Sequence, residues 1–174
     1  MYQITTEQPG DGPEIEQLLD QAFGADRRQR TTYRLREGVP SLAELCFVLR
    51  GARLLCASIR YWPIMIAGRQ PALLLGPVAV GQAWRGRNLG KTLIRHSLAR
   101  AKVLGHDAVL LVGDADYYRP FGFSAALTAN LSLPGPVDPG RFQGCELAPG
   151  ALAGLSGPVG PAAERILAKP AQTL

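Results

Sequence analysis

Residues 78–92, Val-Ala-Val-Gly-Gln-Ala-Trp-Arg-Gly-Arg-Asn-Leu-Gly-Lys-Thr, combine the residue types that bind an anion. An apolar run ends, a polar turn containing glycine follows, and a basic amphipathic stretch begins. Amides in the first turn of a helix have no intrahelical acceptor and carry the positive end of the helix dipole, so such a junction attracts phosphate. Gly86 and Gly90 let a ligand approach backbone with no Cβ in the way. Asn88 enters the left-handed region more readily than most residues. Arg85, Arg87 and Lys91 bring formal charge to the same point, and six basic residues with no Asp or Glu lie between Arg85 and Lys102. A nucleotide P-loop, G-x-x-x-x-G-K-[ST], fits only at its end. Gly90-Lys91-Thr92 match, but the leading glycine would fall on Arg85, and Gly86 comes one residue late.

The elements that must hold this loop follow from periodicity. Pro71 to Val80 is short, apolar and β-rich, as expected of a strand buried on both faces. A helix is predicted from about Asn88 to Leu104, with Leu89, Leu93, Ile94, Leu98, Ala101 and Leu104 as its buried stripe and Gly105 as its left-handed stop. Ala108 to Val112 is the next buried strand, so strand, helix and strand form a right-handed parallel βαβ unit. Upstream, Gly12-Pro13 open a helix whose face is Ile15, Leu18, Leu19, Ala22 and Phe23. Tyr33 to Glu37 reads as a second short helix. Leu45–Arg50 and Arg53–Trp62 read as an antiparallel pair turning at Gly51-Ala52. Downstream, Asp114 to Phe121 reads as a short helix, Phe123 to Leu133 contains a strand, and residues 134–161, with thirteen Gly or Pro, read as loops around a strand near Phe142 to Leu147. An antiparallel meander leading into a parallel βαβ predicts one mixed α/β (α+β) sheet in a single domain spanning 1–174.

Composition narrows the partners. The 174 residues are 47% hydrophobic and 19% charged, an ordinary globular balance. No apolar run approaches the ~18 residues of a membrane span, and the N-terminus has no signal-peptide pattern, so a cytoplasmic protein that does not engage membrane is expected. Cys46, Cys56 and Cys145 form no Cys-x-x-Cys pair, and His96 and His106 have no partner at ligand spacing, which predicts no disulfide scaffold and no metal. The three cysteines read as small core residues, His96 and His106 as surface and turn residues, and Trp84 as packing. The net charge of +5, carried by sixteen arginines among nineteen basic residues, fits an anionic partner. The clusters at 27–36 and 85–102 lack the interleaved aromatics of a nucleic-acid surface, so no nucleic acid is expected.

A second landmark follows the helix: Gly113-Asp-Ala-Asp-Tyr-Tyr118-Arg-Pro-Phe121-Gly122-Phe123. Arg85 through Gly90 occupy the six places of [QR]-x-x-G-x-[GA], with Asn88 replacing the first Gly, and Tyr118, Gly122 and Phe123 match Tyr-x-x-x-Gly-Phe. On these motifs, and on Leu75-Gly-Pro-Val-Ala-Val80, the sequence resembles the GNAT superfamily of acyl-CoA-dependent N-acetyltransferases, most like its bacterial YhbS-like branch. The resemblance implies a GNAT-like fold in which antiparallel N-terminal strands lead into a central parallel βαβ unit with splayed strands. It implies acetyl-CoA as cosubstrate and no metal, with pantetheine along Val78, Ala79 and Val80. The pyrophosphate would rest on the amides of Arg85, Gly86, Arg87, Asn88, Leu89, Gly90 and Lys91, and Tyr118 and Phe121 would also lie against the cofactor.

The implied reaction is direct transfer of acetyl to a primary amine in a ternary complex. The amine must lose a proton, backbone donors should stabilise the developing oxyanion, and the thiolate leaves with help from an acid. Tyr118 takes the place of that acid, with Tyr117 as its substitute. The strands 72–80 and 108–112 carry no carboxylate, so Asp114, just after the second strand, is the candidate base, although Asp114 or Asp116 reads more readily as the cap of the short helix, and a water relay or an already deprotonated acceptor would also serve. The arginines at 27–36 fit either an acceptor-side wall or a solvated helix face. The acceptor is a small-molecule amine or a protein amine, and the Pro/Gly-rich tail leaves room for a homodimer. The alternatives are a non-catalytic acyl-CoA-binding module and, further off, a P-loop phosphotransferase.

Overall fold

The computed structural model describes residues 1–162. Eight strands, β1 Tyr2–Thr6, β2 Phe47–Gly51, β3 Leu54–Ile66, β4 Gln70–Val80, β5 Ala108–Val112, β6 Leu131–Ser132, β7 Phe142–Glu146 and β8 Gly157–Pro161, build the sheet. Its main path runs β1-β2-β3-β4-β5-β7, with β8 added to the half of β3 that β2 does not reach and β6 paired to β8. Every pairing on the main path is antiparallel except β4 with β5. That pair is joined by α3, Leu89–Val103, as the βαβ reading requires.

Alternation on the two central strands explains why both read as continuous apolar runs. Leu73, Leu75, Val109 and Leu111 face α3, where Leu89, Leu93, Ile94, Leu98 and Ala101 meet them. Ala72, Leu74, Ala108 and Leu110 face the opposite way, onto Leu35, Phe142, Leu152 and Val159. The first helix, α1 Gly12–Phe23, covers the far half of that second face through Ile15, Leu18 and Leu19, packed on Val48, Leu55 and Ala79. With layers on both sides, each strand residue is apolar whichever way it points. Gly105 takes φ 81° and stops α3 as predicted.

Several expectations are corrected. The short helix α2 is Thr31–Arg34, beginning two residues and ending three residues before the expected Tyr33–Glu37. The hairpin turns at Ala52-Arg53, both left-handed, and β3 runs on past Trp62 to Ile66. The strand expected within Phe123–Leu133 shrinks to Leu131–Ser132, because Ser124 caps a 3-10 turn at Ala125–Thr128 and the Thr128 hydroxyl donates to the Phe142 carbonyl at 2.7 Å. β8 lies inside the stretch read as loops. Its Pro and Gly hide it from propensity, and it pairs only over short stretches, Val159 to Pro161 with β3 and Gly157-Pro158 with β6. β1 escaped because it pairs at the sheet's edge with mostly exposed side chains. The predicted domain beyond 162, the last part of the Pro/Gly-rich tail suggested for a second subunit, lies outside the described residues.

Candidate active site

β4 and β5 pair only at Leu73 with Val109 and Leu74 with Leu110. Beyond that point β4 continues to Val80 while paired to β3 alone, so its edge toward β5 opens into a slot. A bulge lies on β4 itself: Gly76 and Pro77 stand opposite Arg60 alone, between the pairs Ile59 with Val78 and Tyr61 with Leu75, and bend β4 at the slot. Gly76, at φ 124°, holds a backbone that only glycine adopts freely, and its carbonyl accepts a hydrogen bond from the Trp62 indole at 2.9 Å.

On one side of the slot is a cavity of about 250 Å³ lined by Val80, Trp84, Arg85, Gly86, Asn88, Leu89, Gly90, Lys91 and Tyr117. Gly86 has φ 78° and Asn88 φ 60°, so the asparagine stands in a glycine-like conformation as its type allows. The first bond of α3 runs from the Thr92 N–H to the Asn88 carbonyl at 2.9 Å, which leaves the amides of Leu89, Gly90 and Lys91 with no helical acceptor. A Cβ on Gly90 would come within 2.7 Å of the Tyr117 hydroxyl and 3.3 Å of Val80. Here glycine keeps the floor of the cavity low. Arg87 turns its guanidinium to the Tyr2 hydroxyl, 3.0 Å away. Among the described residues, no carboxylate lies within ion-pair distance of Arg85, Arg87 or Lys91.

These features fit a pyrophosphate: unpaired amides, uncommitted cations and a floor without side chains. Of the three β4 residues predicted at the slot, Val78 and Val80 line cavities, whereas Ala79 packs toward α1 and offers the slot only its backbone.

Tyr117 and Tyr118 stand edge-on to each other with ring centroids 5.0 Å apart. The Tyr118 ring packs against Phe123 and directly over Gly113, where a Cβ would overlap the ring. Sequence reasoning missed that role for Gly113, since nothing local marks a glycine as the seat of a ring five residues on. Burial, with Tyr117 close by, pushes the Tyr118 phenol above its ordinary value, so it holds its proton throughout the neutral range. Asp114 Oδ1 accepts from the Tyr117 N–H at 2.7 Å, the cap the sequence allowed, while the residue also lines the slot. Phe121 lies outside Tyr117, with the Arg95 guanidinium 5.3 Å from its ring. His96 is exposed against Phe47, and all three cysteines are buried and free.

The other side of the slot is a cavity of about 220 Å³, lined by Val78, Gly113, Asp114 and Tyr118 together with Arg27, Arg30, Tyr33, Arg36 and Arg141. The basic segment after α1 is therefore a wall, and Arg27 is only 2% exposed. Its guanidinium pairs with Glu16, with Asp20 at 2.8 Å and with the Tyr33 hydroxyl at 2.6 Å. Arg60 of β3 joins the same Glu16 and makes a two-pronged pair with Glu7 at 2.7 and 2.9 Å. Burial alone would raise the Glu16 carboxyl, but Arg27 and Arg60 hold it below its ordinary value. Thr31 and Arg34 fasten the wall by donating to the carbonyls of Pro136 and Pro134 at 2.7 and 2.6 Å. Among the described residues no cluster of His, Cys, Asp and Glu could hold a metal ion, and no helix is long and apolar enough to cross a membrane.

Comparison with known proteins converges on this architecture. The model of the acetyltransferase (GNAT) family matches residues 13–123. The uncharacterized N-acetyltransferase YhbS of Escherichia coli K12 is 30% identical over 156 residues, covering 88% of this chain and 92% of its own length. The crystal structure of E. coli YhbS in complex with CoA superposes with a TM-score of 0.78 at 29% identity, over 92% of this chain and 89% of that one. A GNAT family acetyltransferase from Brucella melitensis, solved with acetyl-CoA, gives a TM-score of 0.71 at 27% identity, over 94% and 97% of the two chains.

Proposed function

The chain belongs to the GNAT family of acetyltransferases, and from that premise we propose that it moves the acetyl group of acetyl-CoA directly to the primary amine of an acceptor in a ternary complex. The observation that carries this reading is the slot itself, where the unpaired edge of β4 separates a cationic loop, lined by Tyr117, from a second cavity lined by the adjoining Tyr118.

Acetyl-CoA supplies the activated thioester. The amides of Leu89 to Lys91, with Arg85 and Lys91, hold its phosphates, and the free edge of β4 around Val78 and Val80 offers backbone groups to its pantetheine amides. Tyr118, kept protonated by burial, gives its proton to the departing thiolate. Asp114 is the one carboxylate among the residues described as lining the acceptor cavity. With Oδ1 engaged in the cap, Oδ2 is the atom we assign to receiving the amine's proton. The surrounding guanidiniums act in the same direction, because nearby positive charge disfavours an ammonium. The CoA complex of YhbS and the acetyl-CoA complex of the Brucella protein support the choice of cosubstrate.

The test is a melting titration with acetyl-CoA, CoA and magnesium-ATP, followed by turnover of Tyr118→Phe. Acetyl-CoA at a hundred times its Kd should add about 2.7 kcal/mol and raise Tm by about 5–10 °C. The variant should keep that shift and lose about 10²- to 10⁴-fold in kcat. Unchanged turnover removes Tyr118 from the reaction, and a shift with ATP alone sinks the acetyltransferase reading.

A further inference from the structure

The acceptor cavity holds one cation that the protein does not satisfy. Arg36 lies with its guanidinium 4.3 Å from the Tyr33 ring centroid and 5.4 Å from that of Trp62. Its Nε is buried with no hydrogen-bond partner. Neighbouring buried or half-buried guanidiniums are treated differently: Arg27 and Arg60 take up Glu7, Glu16 and Asp20 between them. Among the described residues no carboxylate pairs with Arg36, nor with Arg30 or Arg141 on the same cavity. Burial pushes Arg36 down to about 10, still far enough above neutrality for the group to stay charged.

An uncompensated buried cation is costly, and so is a buried donor without an acceptor. Stacking on two aromatic faces fixes the plane of the guanidinium but leaves its Nε donor unmet. The guanidinium edge that carries Nε is the geometry that receives a carboxylate or phosphate two-pronged. Arg30 comes from the loop after α1 and Arg141 from the start of β7, so two further cations converge on the cavity from distant parts of the chain.

We infer that the acceptor is a small anionic amine, whose carboxylate or phosphate pairs with Arg36 between Arg30 and Arg141 while its amine reaches the Tyr118 side of the slot. Asp114 and Arg141 both lie close enough to Tyr118 to act on its phenol, so the cavity presents both signs of charge, as a zwitterion requires. This inference rests on the acetyltransferase reading and narrows its substrate class.

The test measures CoA-thiol release by the full chain with saturating acetyl-CoA. The panel sets α-, β- and γ-amino acids and phosphorylated amino alcohols beside uncharged amines of equal length and spermidine. The expected result is a kcat/KM at least about tenfold higher for an anionic member than for its uncharged partner. Arg36→Met should then lower the ratio by roughly 10- to 100-fold, and Arg36→Lys should restore part of it. Arg141→Gln, at an exposed position, should lower the same ratio and keeps the test alive if Arg36→Met fails to fold. Preference for the uncharged amines or spermidine overturns the inference, as does a preference that survives both variants. A protein that melts higher with acetyl-CoA yet turns over no panel member also overturns it, leaving the acetyltransferase reading intact. No melting shift with acetyl-CoA removes both.

Discussion

The loop at 81–92 and the wall at 23–36 are both rich in arginine, yet they are built by opposite means. The loop is made from neighbours in sequence. Two left-handed residues, Gly86 and Asn88, turn the chain, and α3 begins at once, leaving its amides free. Among the described residues its cations, Arg85 and Arg87 exposed and Lys91 half-buried, have no carboxylate partner. The wall is made from residues far apart. Glu16 joins Arg27 to Arg60 of β3, and Thr31 and Arg34 reach carbonyls more than a hundred and exactly a hundred positions away, at Pro136 and Pro134. Most of its charge is spent on holding the wall together, so the guanidinium left over, Arg36, is the informative one. Net charge per segment therefore says little about binding; the number of cations without an internal carboxylate says more.

The sharpest way to break this contrast is at the junction, where Gly113→Ala should drive the Tyr118 ring from its seat. A displacement near 1 Å is expected to cost on the order of 10² in kcat, with the acetyl-CoA melting shift retained. Loss of that shift instead would mean the two regions are not separable. Next in size is Arg27→Met, which strands Asp20 and the Tyr33 hydroxyl and leaves Glu16 to Arg28 and Arg60. Because both carboxylates are partly exposed and can rehydrate, a loss of about 1–3 kcal/mol is expected, read as several degrees in Tm. The loop offers the counterpart: Arg85→Ala with Arg87→Ala should leave Tm within about 1–2 °C but weaken acetyl-CoA binding about five- to tenfold, a difference that fades in high salt. If the loop variant loses stability as the wall variant does, the contrast fails.

Acid should find the wall first. Glu16 is held below its ordinary 4.5, so the folded chain releases this proton more readily than the unfolded one. Stability from this group is complete above about pH 4.5 and drains as pH falls through the folded value. Hydrogen exchange at residues 23–36 should therefore rise on acidification before it rises at 85–92. The smallest effect is expected for Asn88→Gly, which only relieves a left-handed asparagine: acetyl-CoA affinity within about twofold, and stability changed by less than about 1 kcal/mol. A β-branched residue there should fail to make the turn.

Much of this molecule was open to sequence reading because its decisive signals are local. The apolar runs at 71–80 and 108–112, the stripe of α3 and the glycine after it follow from periodicity and backbone sterics, and the structure bears out the βαβ unit they predict. The conformation of Asn88 is likewise a property of one residue type. Two peripheral strands were less legible. β1 has no buried face to impose a pattern, and β8 is written in glycine and proline. The α2 boundary slipped because Thr31 and Arg34 answer to Pro134–Pro136 rather than to their neighbours.

By itself, then, the sequence determined a mixed sheet with a basic, glycine-containing loop at a strand-to-helix junction, since both are set by side chains within a few positions of one another. Only the tertiary structure decided that the basic run at 27–36 is a wall rather than a solvated face, that Gly113 seats Tyr118, and that the Arg36 Nε is a buried donor without an acceptor. Those outcomes depend on which distant carboxylates, carbonyls and rings the sheet brings within a few ångströms, and burial and pairing are properties of neighbours in space.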